Sequence, residues 1–224
     1  MLTSLLVFLA VFSAGESAIE SDAATSRLGF RSAENSAKVL DHDARDTWQK
    51  PTAVVDSLDI PLGARIADIG AGTGYFNRHF AEKVGPQGRV FAQEIEQDLV
   101  EYMQERAELE GTVQVVPLLG TRESAGIPDS LDLIFLCNTY RYIDDRIAYF
   151  SALRQNLVTS GRLAVVGFRR HPADPSPARI KPQRVTSELK KAGYTLVQEF
   201  EFLPKQYFLV YRVTDPLDTD GRYE

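Results

Sequence analysis

Short apolar runs alternate with amphipathic stretches along most of this chain. Ile66, Ala67 and Ile69 make Arg65–Ile69 a strand. Phe76, Phe80 and Val84 lie four apart and predict a helix over Tyr75–Val84, stopped by Gly85-Pro86. Arg89–Ile95 reads as a second strand, and Leu99, Val100, Met103 and Ala107 mark a helix closed by Gly111. Val113–Val116 reads as a third strand and Leu131–Cys137, apolar except for Asp132, as a fourth. Ile147, Phe150, Leu153 and Leu157 predict a helix ending near Ser160-Gly161, before a fifth strand at Arg162–Phe168. Val185–Ala192 is predicted helical with Gly193 as its cap, and Thr195–Phe202 and Gln206–Val213 as two closing strands. Ahead of all this, Thr52–Leu58 reads as a short helix with Pro51 at its first turn, cut off by Pro61-Leu62-Gly63.

Strands alternating with helices imply an α/β fold, a parallel sheet with helices on both faces. The last two strands are joined only by Leu203-Pro204-Lys205, too short for a parallel crossover. They form a hairpin, so the expectation is a doubly wound, seven-stranded sheet with six parallel strands and an antiparallel last strand. The stripe Phe200, Phe202, Tyr207 and Phe208 falls at strand spacing and is assigned to the sheet faces.

Composition narrows the function. Of 224 residues, 44% are hydrophobic, which suits a globular core, and the net charge is −6. An acidic chain with no Lys/Arg block is poorly suited to gripping a phosphate backbone, so nucleic acid is not expected as a partner. A single cysteine, Cys137, excludes an intramolecular disulfide framework and a thiolate-cluster zinc site. His42, His79 and His171 have no metal-ligand spacing, so no metal site is expected.

The chemistry concentrates in Asp68-Ile69-Gly70-Ala71-Gly72-Thr73-Gly74, which follows a predicted strand and opens a predicted helix. Glycines there permit a tight turn and close backbone approach to a ligand. Twenty residues after Gly74, at the end of the second strand, stands Glu94, placed to accept hydrogen bonds from both ribose hydroxyls. The dinucleotide fingerprint G-x-G-x-x-G would require a third glycine where this chain has Tyr75. Asp68 beside the turn suits a ligand carrying positive charge better than a pyrophosphate.

These residues resemble the cofactor loop of the class I S-adenosylmethionine-dependent methyltransferases, and the resemblance covers about Thr47 to Val213. It implies a Rossmann-like methyltransferase fold and S-adenosylmethionine as cofactor. Asp68, Gly70, Ala71, Gly72, Gly74 and Glu94 would bind it, with Thr121 or Glu123 near the adenine and Asn138 at the end of the fourth strand. The flanks Arg45-Asp46-Thr47-Trp48-Gln49-Lys50-Pro51, Asn138-Thr139-Tyr140 and Ile143-Asp144-Asp145-Arg146 are similar to a bacterial group that often carries export signals and has undefined substrates. That group places two histidines where this chain has Arg141-Tyr142.

The activity implied is methyl transfer to a small-molecule acceptor, with Tyr140 and His171 as candidate catalytic residues. Asn138, Thr139, Tyr140, Arg141 and Tyr142 follow strand four, and Arg169, Arg170 and His171 follow strand five, on the edge where open α/β sheets bind ligands. Arg169 and Arg170 read either as an anion clamp or as a solvated loop among prolines, Trp48 either as core or as lining of the cofactor mouth, and Cys137 as a small apolar residue. Two rivals stand beside the enzyme: a module that binds S-adenosylmethionine without turnover, and a nicotinamide-dependent oxidoreductase.

Residues 1–15 are uncharged and nearly all apolar from Leu2 to Phe12, too short to span a membrane and suited to a signal peptide, with Ser13-Ala14-Gly15 offering cleavage. The alternative is an uncleaved segment that associates with a membrane. The expected plan is therefore 1–15 as signal or apolar segment, 16–46 as linker and N-terminal helical extension, 47–213 as the methyltransferase domain, and 214–224 as a tail. The expected address is outside the cytoplasm, with a membrane-anchored or cytoplasmic form as the alternative. Export sits awkwardly with a cofactor made in the cytosol.

Overall fold

The computed structural model describes residues 33–170 and 179–214. The apolar segment 1–15, the linker after it, His171, Pro172, Pro175 and Pro177 lie outside the described residues. Three short helices come first: α1 (Ala33–Leu40), α2 (Ala44–Gln49) and α3 (Pro51–Asp56). Then follow β1 (Arg65–Ile69), α4 (Asn77–Val84), β2 (Arg89–Glu94), α5 (Gln97–Glu110), β3 (Val115–Leu119) and β4 (Leu131–Cys137). The chain closes with α6 (Arg146–Leu153), β5 (Leu157–Phe168), α7 (Pro182–Lys191), β6 (Tyr194–Phe200) and β7 (Gln206–Val213).

The seven strands form one sheet in the order β3-β2-β1-β4-β5-β7-β6. Neighbours are parallel from β3 to β5, and β7 runs antiparallel to both β5 and β6. The expected sheet is therefore present, with its reversed last strand inserted between β5 and β6. Strand alternation divides the core in two. Ile66, Leu133, Phe135, Val166 and Phe208 face α3, α4 and α5, where Val54, Phe80 and Met103 meet them. Ala67, Ile134, Leu136, Val165 and Leu209 face α6 and α7, where Phe150, Leu153, Val185 and Leu189 meet them. Phe135 packs edge-on against both Phe76 and Phe80, at 4.9 and 5.0 Å between ring centroids. Each such fully buried side chain contributes about 1.5–3 kcal/mol relative to exposure.

Several expected boundaries move. The third strand is Val115–Leu119 rather than Val113–Val116 and runs through Pro117. β3 is an edge strand, where the N–H that proline lacks need not find a ladder partner. The helix expected to reach Leu157 stops at Leu153, and a single 3-10 turn (Arg154–Asn156) leads Leu157 into the sheet opposite Leu131. The helix expected from Tyr75 begins at Asn77, because Tyr75 and Phe76 still belong to the turn. The described helical extension before residue 47 belongs to the same compact unit as the sheet. No helix among the described residues is long and apolar enough to cross a membrane.

Strand order reverses between β1 and β4, which both border the sheet's centre. A crevice outside the carboxyl ends of the strands is expected at such a switch point. The loops after β1, β2 and β4 meet there.

Candidate functional site

The turn after β1 is built by its own backbone. Gly70, Gly72 and Gly74 adopt φ of +67°, +62° and +81°, the left-handed region that glycine enters without steric cost. Gly70 also packs directly on Thr139, so that a Cβ would fall inside the Thr139 side chain. The Gly70 and Ala71 N–H groups donate to the Gln93 carbonyl at 2.9 and 3.0 Å. Gly72 N–H donates to Glu94 Oε2 at 3.0 Å, and Gly74 N–H to the Ala71 carbonyl at 3.0 Å. A pyrophosphate would need free amides in this loop. These four are engaged, which argues against a dinucleotide.

Two carboxylates flank the turn. Glu94 is buried, and its other oxygen accepts from Ile95 N–H at 2.7 Å. Burial raises its pKa, while the bonds from Ile95 and Gly72 pull it back. Asp68 is only 3% exposed, and its carboxylate accepts no hydrogen bond from any described residue. Burial, and then the neighbouring Glu94 charge, push Asp68 up to about 7, opposed by the Arg45 guanidinium. A buried carboxylate without a donor is a costly arrangement unless a ligand supplies positive charge.

A pH signature follows. The folded pKa of Asp68 lies above its ordinary 3.8, so the folded state loses stability as pH rises from there through about 7. Asp68→Asn is expected to melt higher than the parent at pH 8 in the absence of ligand. That advantage should shrink steadily towards pH 5, where the parent Asp68 is protonated. Melting curves of both proteins across that range test the sign.

The N-terminal helices reach over the turn. Leu40 lies against Gly72, and Asp41 accepts from Thr73 Oγ1 at 2.9 Å and from Arg106 at 3.0 Å. Tyr75, where a dinucleotide site would have glycine, is buried and donates its hydroxyl to Asp46, with the Arg45 guanidinium 3.7 Å from its ring centroid. From α2, Gln49 begins a buried amide chain. Its Nε2 donates to Gln206 Oε1 at 2.9 Å and contacts Cys137 Sγ at 2.8 Å, and Gln206 Nε2 donates to Asn138 Oδ1 at 2.9 Å. The chain holds Asn138 in its left-handed backbone conformation (φ +63°) at the end of β4. Gln206→Ala would leave Asn138 Oδ1 without this donor and Gln49 without this acceptor. It is expected to cost about 1–3 kcal/mol, read as a lower urea midpoint with an unchanged slope.

The expected residues divide clearly. Asp68, Gly70, Ala71, Gly72, Gly74 and Glu94 converge at the turn, and Asn138 joins them through Thr139, whose hydroxyl donates to the Gly70 carbonyl at 3.2 Å. Thr121 follows the neighbouring strand end, where Gly120 N–H donates to the Glu94 carbonyl at 2.8 Å. Its own hydroxyl closes a local turn by accepting from Ser124 N–H at 3.1 Å, and Glu123 is exposed. Tyr140 is not presented as a base. It is buried and stacked on Phe150, and its hydroxyl donates to Glu188 at 2.8 Å. Burial and that carboxylate raise its pKa far above the ordinary value. Trp48 packs on Phe168 at 5.4 Å, under the Lys205 ammonium. Cys137 is partly buried, its thiol pushed up to about 11 by burial, so it stays protonated. Arg169 donates to the Gln206 carbonyl at 3.0 Å and lies 3.9 Å from Glu199, so it braces β7 rather than forming a free clamp. No cluster of three potential metal ligands occurs among the described residues.

Beside the turn, a small open cleft is lined by Asn138, Tyr140, Arg141, Phe168, Arg179 and Tyr207, among others. It runs between the loop after β4, the end of β5 and the start of β7.

Comparison with known proteins agrees with this geometry. Residues 66–161 match the methyltransferase-domain family. A crystal structure of an S-adenosylmethionine-dependent methyltransferase from Aquifex aeolicus superposes with a TM-score of 0.73 at 21% identity, over 79% of this chain and 96% of that one. Aeropyrum pernix fibrillarin, solved with natively bound S-adenosylmethionine, superposes with a TM-score of 0.57 at 15% identity, over 73% and 74% of the two chains. In sequence, a protein-L-isoaspartate O-methyltransferase of Aeropyrum pernix is 41% identical over 71 residues, 32% of this chain and 27% of that protein. The ubiquinone/menaquinone biosynthesis C-methyltransferase UbiE of Francisella philomiragia is 24% identical over 156 residues, 69% and 61% of the two. The chain thus spans less than two thirds of either curated relative.

Proposed function

We propose that this chain binds S-adenosylmethionine across the Gly70–Gly74 turn and transfers its methyl group to a small-molecule acceptor. The observation that carries this reading is the buried Asp68 carboxylate, without a donor among the described residues, beside a glycine turn in which the Gly70, Ala71, Gly72 and Gly74 amides are already engaged. That combination favours a cationic amino-acid end over a phosphate. Glu94, at the end of β2, is placed for the ribose hydroxyls, and Thr121 and its loop for the adenine side. Asn138 marks the end at which cofactor and acceptor meet. The match of residues 66–161 to the methyltransferase-domain family supports the same reading.

When bound, S-adenosylmethionine supplies an activated methyl group on a sulfonium, open to in-line displacement by an acceptor nucleophile. The protein's share is positioning and electrostatics. Gly70, packed on Thr139, fixes the turn against the end of β4, and the Gln49–Gln206–Asn138 chain fixes the wall of the adjoining cleft. The uncharged, apolar residues 1–15, ending in the small residues Ser13-Ala14-Gly15, support the further reading that the protein is exported. Fractionation of cells producing the full chain tests that part.

The test of function is to incubate the protein with S-adenosylmethionine and a pooled small-molecule extract and to follow S-adenosylhomocysteine. Acceptor-dependent product, absent in Glu94→Ala, is the expected result. Tight cofactor binding with no turnover across chemically diverse extracts would favour the non-catalytic binding module.

A further inference from the structure

Helix α2 brings a cation to the glycine turn. Arg45 is partly buried, and its guanidinium is held from three sides. Its Cζ lies 3.7 Å from the centroid of the Tyr75 ring, Nε donates to Gln49 Oε1 at 2.7 Å, and Nη1 donates to the Leu40 carbonyl. These partners tie it to both sides of the crevice. Tyr75 directly follows Gly74 of the turn after β1, and Gln49 contacts Cys137 Sγ at 2.8 Å at the end of β4. Asp68 lies between these anchors. It pairs with Phe135 in the β1–β4 register, two residues before Cys137. Strand alternation puts Asp68 on the sheet face of Ile66, Phe135 and Cys137, the face that α2 covers through Gln49.

The charges there are complementary to one chemical group. The ion pairs among the described residues do not include Arg45 or Asp68. Burial raises both the Asp68 carboxyl and the Cys137 thiol, and the Arg45 charge opposes burial at each. One crevice thus presents a carboxylate and a guanidinium that are near each other yet not bonded. An α-amino acid carries the matching pair, an ammonium and a carboxylate on one carbon. Asp68 by itself would accept any amine. With Glu94 also flanking the turn, two negative charges would oppose a carboxylate arriving beside that amine unless a cation received it.

We propose that Arg45 receives the α-carboxylate of the cofactor while Asp68 receives its α-ammonium, so that the site selects S-adenosylmethionine over its decarboxylated form. The proposal rests on the S-adenosylmethionine reading and deepens it, by giving the cofactor's amino-acid end a second contact and the site a specificity. Guanidinium groups bind carboxylates with charge-assisted hydrogen bonds, and a planar fork already seated on a ring loses little freedom in doing so. The aromatic ring at position 75 then has a function of its own, as the platform on which the guanidinium rests. The helical extension before β1 becomes part of the cofactor site.

The test is calorimetric titration of the full chain with two ligands, S-adenosylmethionine and decarboxylated S-adenosylmethionine, which keeps the ammonium, sulfonium, ribose and adenine. The parent should bind the complete cofactor about tenfold or more tightly than the decarboxylated one, the least that a hydrogen bond to a charged group contributes. Arg45→Ala should weaken S-adenosylmethionine by about the same factor and leave the decarboxylated ligand within about threefold, so that the preference disappears. Arg45→Lys should restore part of it. Arg45→Gln keeps much of the stem on Tyr75 and gives the same readout if the alanine variant does not fold. Glu94→Ala is the control and should weaken both ligands alike, since the ribose is common to them. A purely structural Arg45 would likewise weaken both alike and leave their ratio intact, and that result would overturn the proposal. So would a parent that binds the two ligands equally. In both cases binding of S-adenosylmethionine by the parent leaves the cofactor reading standing. A folded parent that binds neither ligand overturns the cofactor reading and the proposal with it.

Discussion

Replacing Glu94 by alanine is expected to weaken S-adenosylmethionine binding about a hundredfold, close to 3 kcal/mol. The carboxylate would accept two ribose hydroxyls, and a hydrogen bond to a charged group contributes about 1.5–3 kcal/mol. It also anchors the turn, since its two oxygens already accept from Gly72 and Ile95 N–H groups at 3.0 and 2.7 Å. Glu94→Gln keeps one amide oxygen as an acceptor and should lose roughly tenfold instead, as the charge-assisted share disappears. Calorimetric titration reads both affinities, with thermal melting to show that each variant is folded. An alanine variant that binds like the parent would remove Glu94 from the site.

Gly70→Ala is expected to be severely damaging for the addition of a single methyl. At φ +67° an L-residue carries roughly 1–2 kcal/mol of strain. The added Cβ also overlaps the Thr139 side chain, which itself donates to the Gly70 carbonyl. Overpacking of this kind costs about 1–3 kcal/mol. The sum, about 2–5 kcal/mol, corresponds to a melting temperature lower by roughly 5–15 °C in a chain of this size. Binding should fall below detection, because the turn and the end of β4 can no longer close on each other. Gly70→Ala combined with Thr139→Ala should recover part of the stability, leaving the left-handed strain in place. If the two substitutions simply add, the contact between turn and β4 is not the cause.

The glycine turn and Glu94 were legible because each is a local signal: a glycine cluster after an apolar run, and one acid at the end of the next. Sheet topology followed from a single short connection, Leu203-Pro204-Lys205, that allows only a hairpin. What escaped depends on distant residues meeting. Gln49 and Gln206 are 157 positions apart yet share one buried hydrogen bond. A glutamine opening an otherwise apolar strand was the one hint. Tyr207 was read correctly as part of a sheet face, but the close fit of its hydroxyl against Gly167 exists only in three dimensions. Tyr140 misled in the opposite way. Its position after β4 pointed to chemistry, whereas Glu188, 48 residues on, takes its hydroxyl. The contribution of α1 and α2 was also hidden, since Asp41 and Arg45 act on a turn some thirty residues away that nothing in their own periodicity announces.

The most direct test of the central claim is a calorimetric titration of the full chain at pH 8 with S-adenosylmethionine and, separately, with a nicotinamide dinucleotide. At that pH Asp68, with its pKa near 7, is mostly ionised and ready for a cationic ligand. The account predicts saturable one-to-one binding of S-adenosylmethionine in the micromolar range and none of the dinucleotide. A folded protein that ignores S-adenosylmethionine, or prefers the dinucleotide, would contradict it.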